Sequence, residues 1–488
     1  MIIPFGEWLP DQADLNNPGS TLVKNVLPHA MGYAPFPSAA VYSDALTAYC
    51  RGAFYCRDKS NNVYIYGGDA TKIQSIADGA WSDVTRSADP YATGTGERWE
   101  FAKWNETVLA TNFTDEIQVI TMGGANYADL AGTPPHARHM AVARNFVILA
   151  NINEVGGDGL VPHRVQWSGL NNSVTWATSS VTQADEEDLK GSGGWCQRVF
   201  GGEYAVVFQE NSIWRMSYVG TPAIWQFDEV AQGTGLIAPD LAAQDGDLIY
   251  FLSPSGFMVL QDGSRVEPIG SSKVDRFVLD DIDTAYLDRC SSVVDNKSHR
   301  VYFSYPGSGA SAGLANKMVV YDYSLGRWSY SEQDTEQLLI AATSGYTLDG
   351  LDSYSTDLDS ITISLDDPSW TGGRAQLGKI DSAHKLAFFT GSAMSATLET
   401  TEIQLTPGRR TMLSTVRPLV DGGSTTIQVA HRNIQSATES WNSAITPNAN
   451  GRASIRKNAR YHRMRANLSG SWTHAQGVEI EGKAMGAR

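Results

Sequence analysis

The chain has 488 residues, 42% of them hydrophobic and 18% charged, which excludes a disordered protein and, at this length, predicts two or three domains rather than one core. The formal charge of −16 is unevenly placed: residues 408–488 hold twelve Lys/Arg against four Asp/Glu, a balance of +8, which leaves −24 on residues 1–407. An acidic body argues against a sequence-reading DNA-binding domain, which needs a basic face, but suits a lumen that repels phosphate and lets DNA pass.

The opening MIIPFGEWLPDQADL has no basic n-region and no apolar h-region, so no signal peptide is expected. Nor does any apolar run approach the ~20 residues that a spanning helix needs, so a chain folded in cytoplasm with no membrane span is expected. Residues 1–40 read as an extended arm, because Pro4, Pro10, Pro18, Pro28, Pro35 and Pro37 break any helix. Such an arm cannot fold alone and is expected to lie along its own domain or a neighbouring subunit.

Residues 41–333 read as strand and turn in repetition. Tyr204–Phe208 with Ile213–Tyr218 is the clearest unit, and Leu248–Leu252 with Phe257–Leu260 repeats it. Asn62–Tyr66, Thr107–Thr111 with Glu116–Thr121, Phe146–Ala150 and Arg300–Tyr305 with Met318–Tyr323 are further copies. Trp81, Tyr127, Trp176, Trp225 and Trp328 stand 46, 49, 49 and 103 residues apart. A period near ~50 residues with several strands per unit predicts a six-bladed β-propeller, with these aromatics packing blade on blade. A sixth marker would fall at Phe277, in a segment (VDRFVLDD) that reads as helical.

Residues 334–488 change character and are expected to form a C-terminal β-domain, a sandwich or barrel that contacts an adaptor. After the polar stretch LDGLDSYSTDLDSITISLDDPSWTGG come strands at Ala396–Leu405, Ser414–Leu419, Thr425–Ala430 and Tyr461–Leu468. In the last, Arg460, His462, Met464, Ala466 and Leu468 share one face, with Tyr461, Arg463, Arg465 and Asn467 on the other.

Few residues suggest chemistry. His136 and His139 form an H-x-x-H without a third ligand, which reads as two surface histidines. Asp349, Asp352, Asp357 and Asp359 miss the rhythm of a calcium loop. Gly156-Gly157-Asp158-Gly159 opens no helix and has no Lys-Ser/Thr after it, so no phosphate cradle is expected. Cys50, Cys56, Cys196 and Cys290 lack metal or redox spacing and read as free, buried thiols. A sugar-cleaving propeller would need a carboxylate pair, for which Asp185–Asp188 and Asp280, Asp281 and Asp283 are candidates, yet QADEEDLK reads as an exposed loop. No cluster of arginines on central strands is legible. No catalytic residue, metal or cofactor is expected.

The order of motifs resembles the tail nozzle, or tail hub, proteins of short-tailed bacteriophages, among them the packaged-DNA-stabilising plug proteins. The similarity runs through LPHAMGYAPFP, RVQWSGLNNSVTW (Arg164 to Trp176), GGEYAVVFQENSIWRMSYVG (Gly201 to Gly220), DGDLIYFLSPSGFMVLQDG (Asp245 to Gly263), YDYSLGRWS (Tyr321 to Ser329), LDDPSWTGG and ATLETTEIQL. It implies a ring of six subunits in the virion tail, below portal and adaptor. The ring's channel retains packaged DNA and then conducts it without reading sequence, and fibres or spikes dock outside. The charge asymmetry places Arg409, Arg410, Arg456, Lys457 and Arg460 at subunit or adaptor contacts. A carbohydrate-binding or carbohydrate-cleaving propeller at the host surface is the alternative.

Overall fold

The computed structural model describes every residue except 16, 88, 344–354, 356, 362–363, 365, 367–372 and 487–488. Asp349 and Asp352, and most of the polar stretch around them, lie outside the described residues. Among the described residues, six separate four-stranded antiparallel sheets and one large mixed, curled sheet make up the fold.

Five of the six are meanders in chain order. Blade one runs from Gly52–Arg57 to Ala80–Asp83, blade two from Glu100–Trp104 to Ala128–Asp129, and blade three from His136–Ala143 to Asp185–Asp188. Blade four runs from Cys196–Phe200 to Ile224–Gln232 and blade five from Ala242–Asp245 to Arg265–Pro268. Blade six, from Ser291–Asp295 to Arg327–Thr335, has the same up-and-down pairing but continues into the large sheet. The first strands of neighbouring blades pack side by side, and Gln337–Ala341 returns to Gly52–Arg57. That contact closes a propeller ring and leaves no open sheet edge between first and last blades.

The aromatic markers all lie buried: Trp81, Trp225 and Trp328 on the outer strands of blades one, four and six, Tyr127 just before that of blade two, and Trp176 in the connection leading to that of blade three. Blade five has none, because Phe277 lies on the short helix Asp275–Leu279 that follows it. The spacing therefore counts six units up to Trp328, and the structure adds a seventh. Gln337–Ala341, Gln376–Ile380 and Lys385–Phe388 take their fourth strand, Ala40–Ala45, from the other end of the propeller. The expected boundary at 333/334 is corrected accordingly: strands up to Phe388 belong to the ring. A blade assembled from both ends of the repeat carries no periodic signal.

The arm lies along its own chain. Ile2–Pro4 pairs with Tyr461–Ala484, and Ser20–Lys24 bridges Arg327–Thr335 of blade six to Ala396–Thr400. Trp8 is fully buried, with its ring centroid 5.0 Å from Phe277 and 5.8 Å from Tyr330. Asp11 accepts the backbone N–H groups of Arg276 and Phe277 at 2.9 Å each, tying the arm to the helix. The arm is thus the seam between propeller and C-terminal sheet, and it buries Phe5, Trp8, Val23, Val26, Tyr33 and Phe36 within the chain while Met1, Ile2 and Met31 stay exposed.

Candidate functional site

Two long strands, Thr411–Arg432 and Tyr461–Ala484, pair along nearly their whole length. Alternation buries His462, Met464, Ala466 and Leu468 and leaves Tyr461, Arg463, Arg465 and Asn467 at the surface, as the sequence predicts. The ribbon does not run straight: its register shifts three times between Leu419 and Ser424, where Gly422 and Gly423 adopt φ of +75° and +65°. A side chain is strained there, and a Cβ on Gly423 would stand 2.6 Å from the Ser469 carbonyl oxygen. The fold-back brings Thr411 beside Ala459, so that His462 Nε2 donates to both carbonyl oxygens at 3.2 Å. Burial lowers the His462 pKa and keeps the ring neutral.

This geometry gathers the five predicted cations at one end of the fold. Arg409 and Arg410 precede Thr411, Arg460 follows Ala459, and Arg456 and Lys457 lie on Ala453–Ala459 opposite Leu413 and its neighbours. They do not share one face: Arg456 points outward with Ser454 and Asn458, and Lys457 turns inward with Ile455 and Ala459. What unites them is the lack of a counter-ion. Other arginines of the domain have carboxylates, Arg417 with Glu479 at 2.8 Å, Arg432 with Glu402 at 2.5 Å and Arg463 with Glu439 at 3.0 Å. Among the described residues, none of the five, nor Lys483 beside them, has an acidic partner within 4.0 Å. Half a dozen cations without carboxylates form a surface poised for an acidic partner.

A second site lies at one mouth of the propeller channel and was not legible in the sequence. Arg98, Arg138 and Arg198 stand on or beside the first strands of blades two, three and four, around a cavity of about 370 Å³. The expectation that no arginine cluster exists is thus corrected; its members come from three blades, which no local motif records. Each already has carboxylates. Arg98 reaches Asp240 at 2.8 Å, and Arg198 reaches Asp240 at 2.6 Å and Glu100 at 3.3 Å. Arg138 holds Glu97 at 2.8 Å and lies 3.8 Å from the Phe113 ring centroid. Burial opposes the charge on Arg98 and Arg198, but Asp240 beside both, with Glu100 beside Arg198, outweighs it and raises both pKa values. The web ties blades two, four and five across the channel. His139, expected at the surface, is buried in it, with Nδ1 3.0 Å from Glu100. Trp195, 47% exposed, forms part of the cavity's lining.

Gly156 to Gly159 form the tip of a hairpin in blade three, and Asp185–Asp188 is that blade's outer strand, not a loop. Asp281 pairs with Lys317 at 2.8 Å. All four cysteines are free and buried. Among the described residues no three candidate ligands converge on a metal position, and no helix is long and apolar enough to cross a membrane.

No family model matches the sequence, and no curated protein matches it. Among solved structures, the chain is similar to the WD40 domain of Neurospora crassa Pan2 at 7% identity and a TM-score of 0.40, over 74% of this chain and 96% of that one. It is similar to the computationally designed Ika8 protein at 10% identity and a TM-score of 0.36, over 63% and 93%. YCF48 from Cyanidioschyzon merolae matches at 10% and 0.36, over 65% and 91%. These likenesses are too distant to say anything of function, and the propeller stands on the strand pairing itself.

Proposed function

We propose that this chain is a structural subunit of a homo-oligomeric ring, of six copies, at the distal end of a short-tailed phage tail channel. There it retains packaged DNA, conducts it during ejection, and offers a platform for fibres or spikes. The observation that carries this reading is the counter-ion-free basic end on a chain whose other 407 residues sum to −24. Such a charge layout favours head-to-tail contact with another copy or with an adaptor. The ion-pair web across the propeller's own channel agrees with it, since the conduit would then be the space the ring encloses. The test is assembly of the purified protein onto portal–adaptor complexes in low and high salt. Binding that weakens with salt and with Arg409→Glu/Arg410→Glu/Arg460→Glu supports the reading; assembly indifferent to both sinks it.

A carbohydrate-binding role has one observation in its favour, the half-exposed Trp195 lining a cavity with the polar side chains of Asn151 and Gln197. Such an aromatic beside planar polar groups suits a sugar face. Binding or depolymerisation of host polysaccharide, abolished by Trp195→Ala, would favour it over the ring.

A further inference from the structure

Blade three has an unusual outer surface. Val155 in the hairpin before Gly159–Trp167 and Leu160 at that strand's start are exposed, as are Leu170, Val174 and Val181 in the connection after it. The two groups flank opposite ends of the strand and form no single apolar patch, so the charge of the blade's edge is what distinguishes it. The blade's outer strand, Asp185–Asp188, has a hydrogen-bonded neighbour on one side only. Beside it Arg164 is ringed by Glu154, Asp158, Glu186 and Asp188 at 3.2, 3.1, 3.2 and 2.7 Å. Two cations, Arg164 and Lys190, which lies 3.5 Å from Asp188, against four carboxylates leave the edge negative, and Asp185 and Glu187 add to it. An edge strand made of acids repels its own copy and favours a basic partner.

The basic end carries the matching features. Ala453–Ala459 is itself an edge strand, bonded only to Thr411–Arg432, and Arg456 projects from it. One exposed apolar side chain accompanies the cations, Met485, whose N–H donates to the Arg410 carbonyl oxygen at 2.8 Å. The two surfaces therefore pair opposite charge along unpaired strand edges, and both belong to one chain.

We infer that the basic end of one copy docks on the acidic outer edge of blade three in the next copy, with Arg456 and its neighbouring cations facing Asp185 and Glu187. The contact is heterologous, so repeating it builds a ring where the rotation between copies closes and an open filament where it does not. It deepens the ring reading above and rests on it only in requiring more than one copy.

The test uses the full chain in sedimentation or native mass measurements at low and high salt. One variant reverses the basic end (Arg409→Glu/Arg410→Glu/Arg456→Glu) and another the blade edge (Asp185→Lys/Glu187→Lys), with thermal melts to verify folding. Each alone should raise the dissociation constant at least about tenfold. An equimolar mixture of the two reversed proteins should assemble again, because each then offers the surface the other lacks. A monomeric wild type, a blade-edge variant that assembles like wild type, or a mixture that stays dissociated would overturn the contact. Should a reversed protein melt early, Glu187→Gln and Arg456→Gln read the same contact as a smaller shift. Rings that obey the charge swap yet never capture a portal–adaptor complex would keep this contact and sink the tail role. Capture by rings indifferent to both reversals would do the opposite.

Discussion

Asp275 sits where two glycines make room for it: a Cβ on Gly256 or Gly270 would come within 2.3 or 2.0 Å of its carboxylate. Oδ1 accepts the Phe257 N–H at 2.9 Å. Burial pushes its pKa up to about 6, against the pull of that N–H and with some help from the Asp11 charge. The folded state therefore holds the proton more tightly than the unfolded state. Stability is fullest below the ordinary carboxylate pKa of 3.8, falls as pH rises to about 6, and stays lower above it. Asp275→Asn keeps the acceptor and removes the charge, so it should raise the unfolding free energy at pH 7, by at most about 3 kcal/mol, and leave it unchanged near pH 3.5. Melting curves at the two pH values test this; a destabilised variant at pH 7 would contradict it. Burial also pushes the Cys50, Cys56 and Cys196 thiols up to about 12 and that of Cys290 higher still. A thiol reagent should find none of the four reactive in the native protein and all four after denaturation. The free thiols were legible from spacing alone, whereas the titration of Asp275 depends on two glycines that become its neighbours only in the fold.

The bent ribbon and the arm decide where the basic end stands. Gly423→Val would meet the Ser469 carbonyl in a left-handed backbone conformation, and it should cost roughly 1–3 kcal/mol and splay the ends that bring Arg410 and Arg460 together. Urea unfolding gives the loss; a midpoint unchanged from wild type would show that the bend does not depend on glycine. Trp8→Ala, which empties the space between Phe277 and Tyr330, should cost about 3–5 kcal/mol although it lies outside every blade. Alternation made the inward face of Tyr461–Ala484 readable, because period two is local. The fold-back at Gly422 and the borrowed strand Ala40–Ala45 were not readable, because each is fixed by a partner far along the chain.

Taken whole, the molecule is a closed ring of blades, stitched by its own arm to a curled sheet, with charge separated between the two. The excess of cations was legible from composition, twelve against four acids in one segment, but which of them stay unpaired was not, since Arg432 and Arg465 find Glu402 and Glu399 outside it. The channel-mouth web was not, because Arg98, Arg198 and Asp240 meet only when blades two, four and five close around one axis. Asp240→Ala should leave Arg98 without a carboxylate and Arg198 with Glu100 alone, and lower stability by about 3 kcal/mol, seen as an earlier melt without loss of the basic end's chemistry. The central claim is that copies of this chain form a ring through opposed charges. The most direct measurement is the mass of the purified protein in solution as salt is raised. A closed assembly of about six copies that loosens with salt is the predicted result; a monomer at every concentration and salt would contradict it.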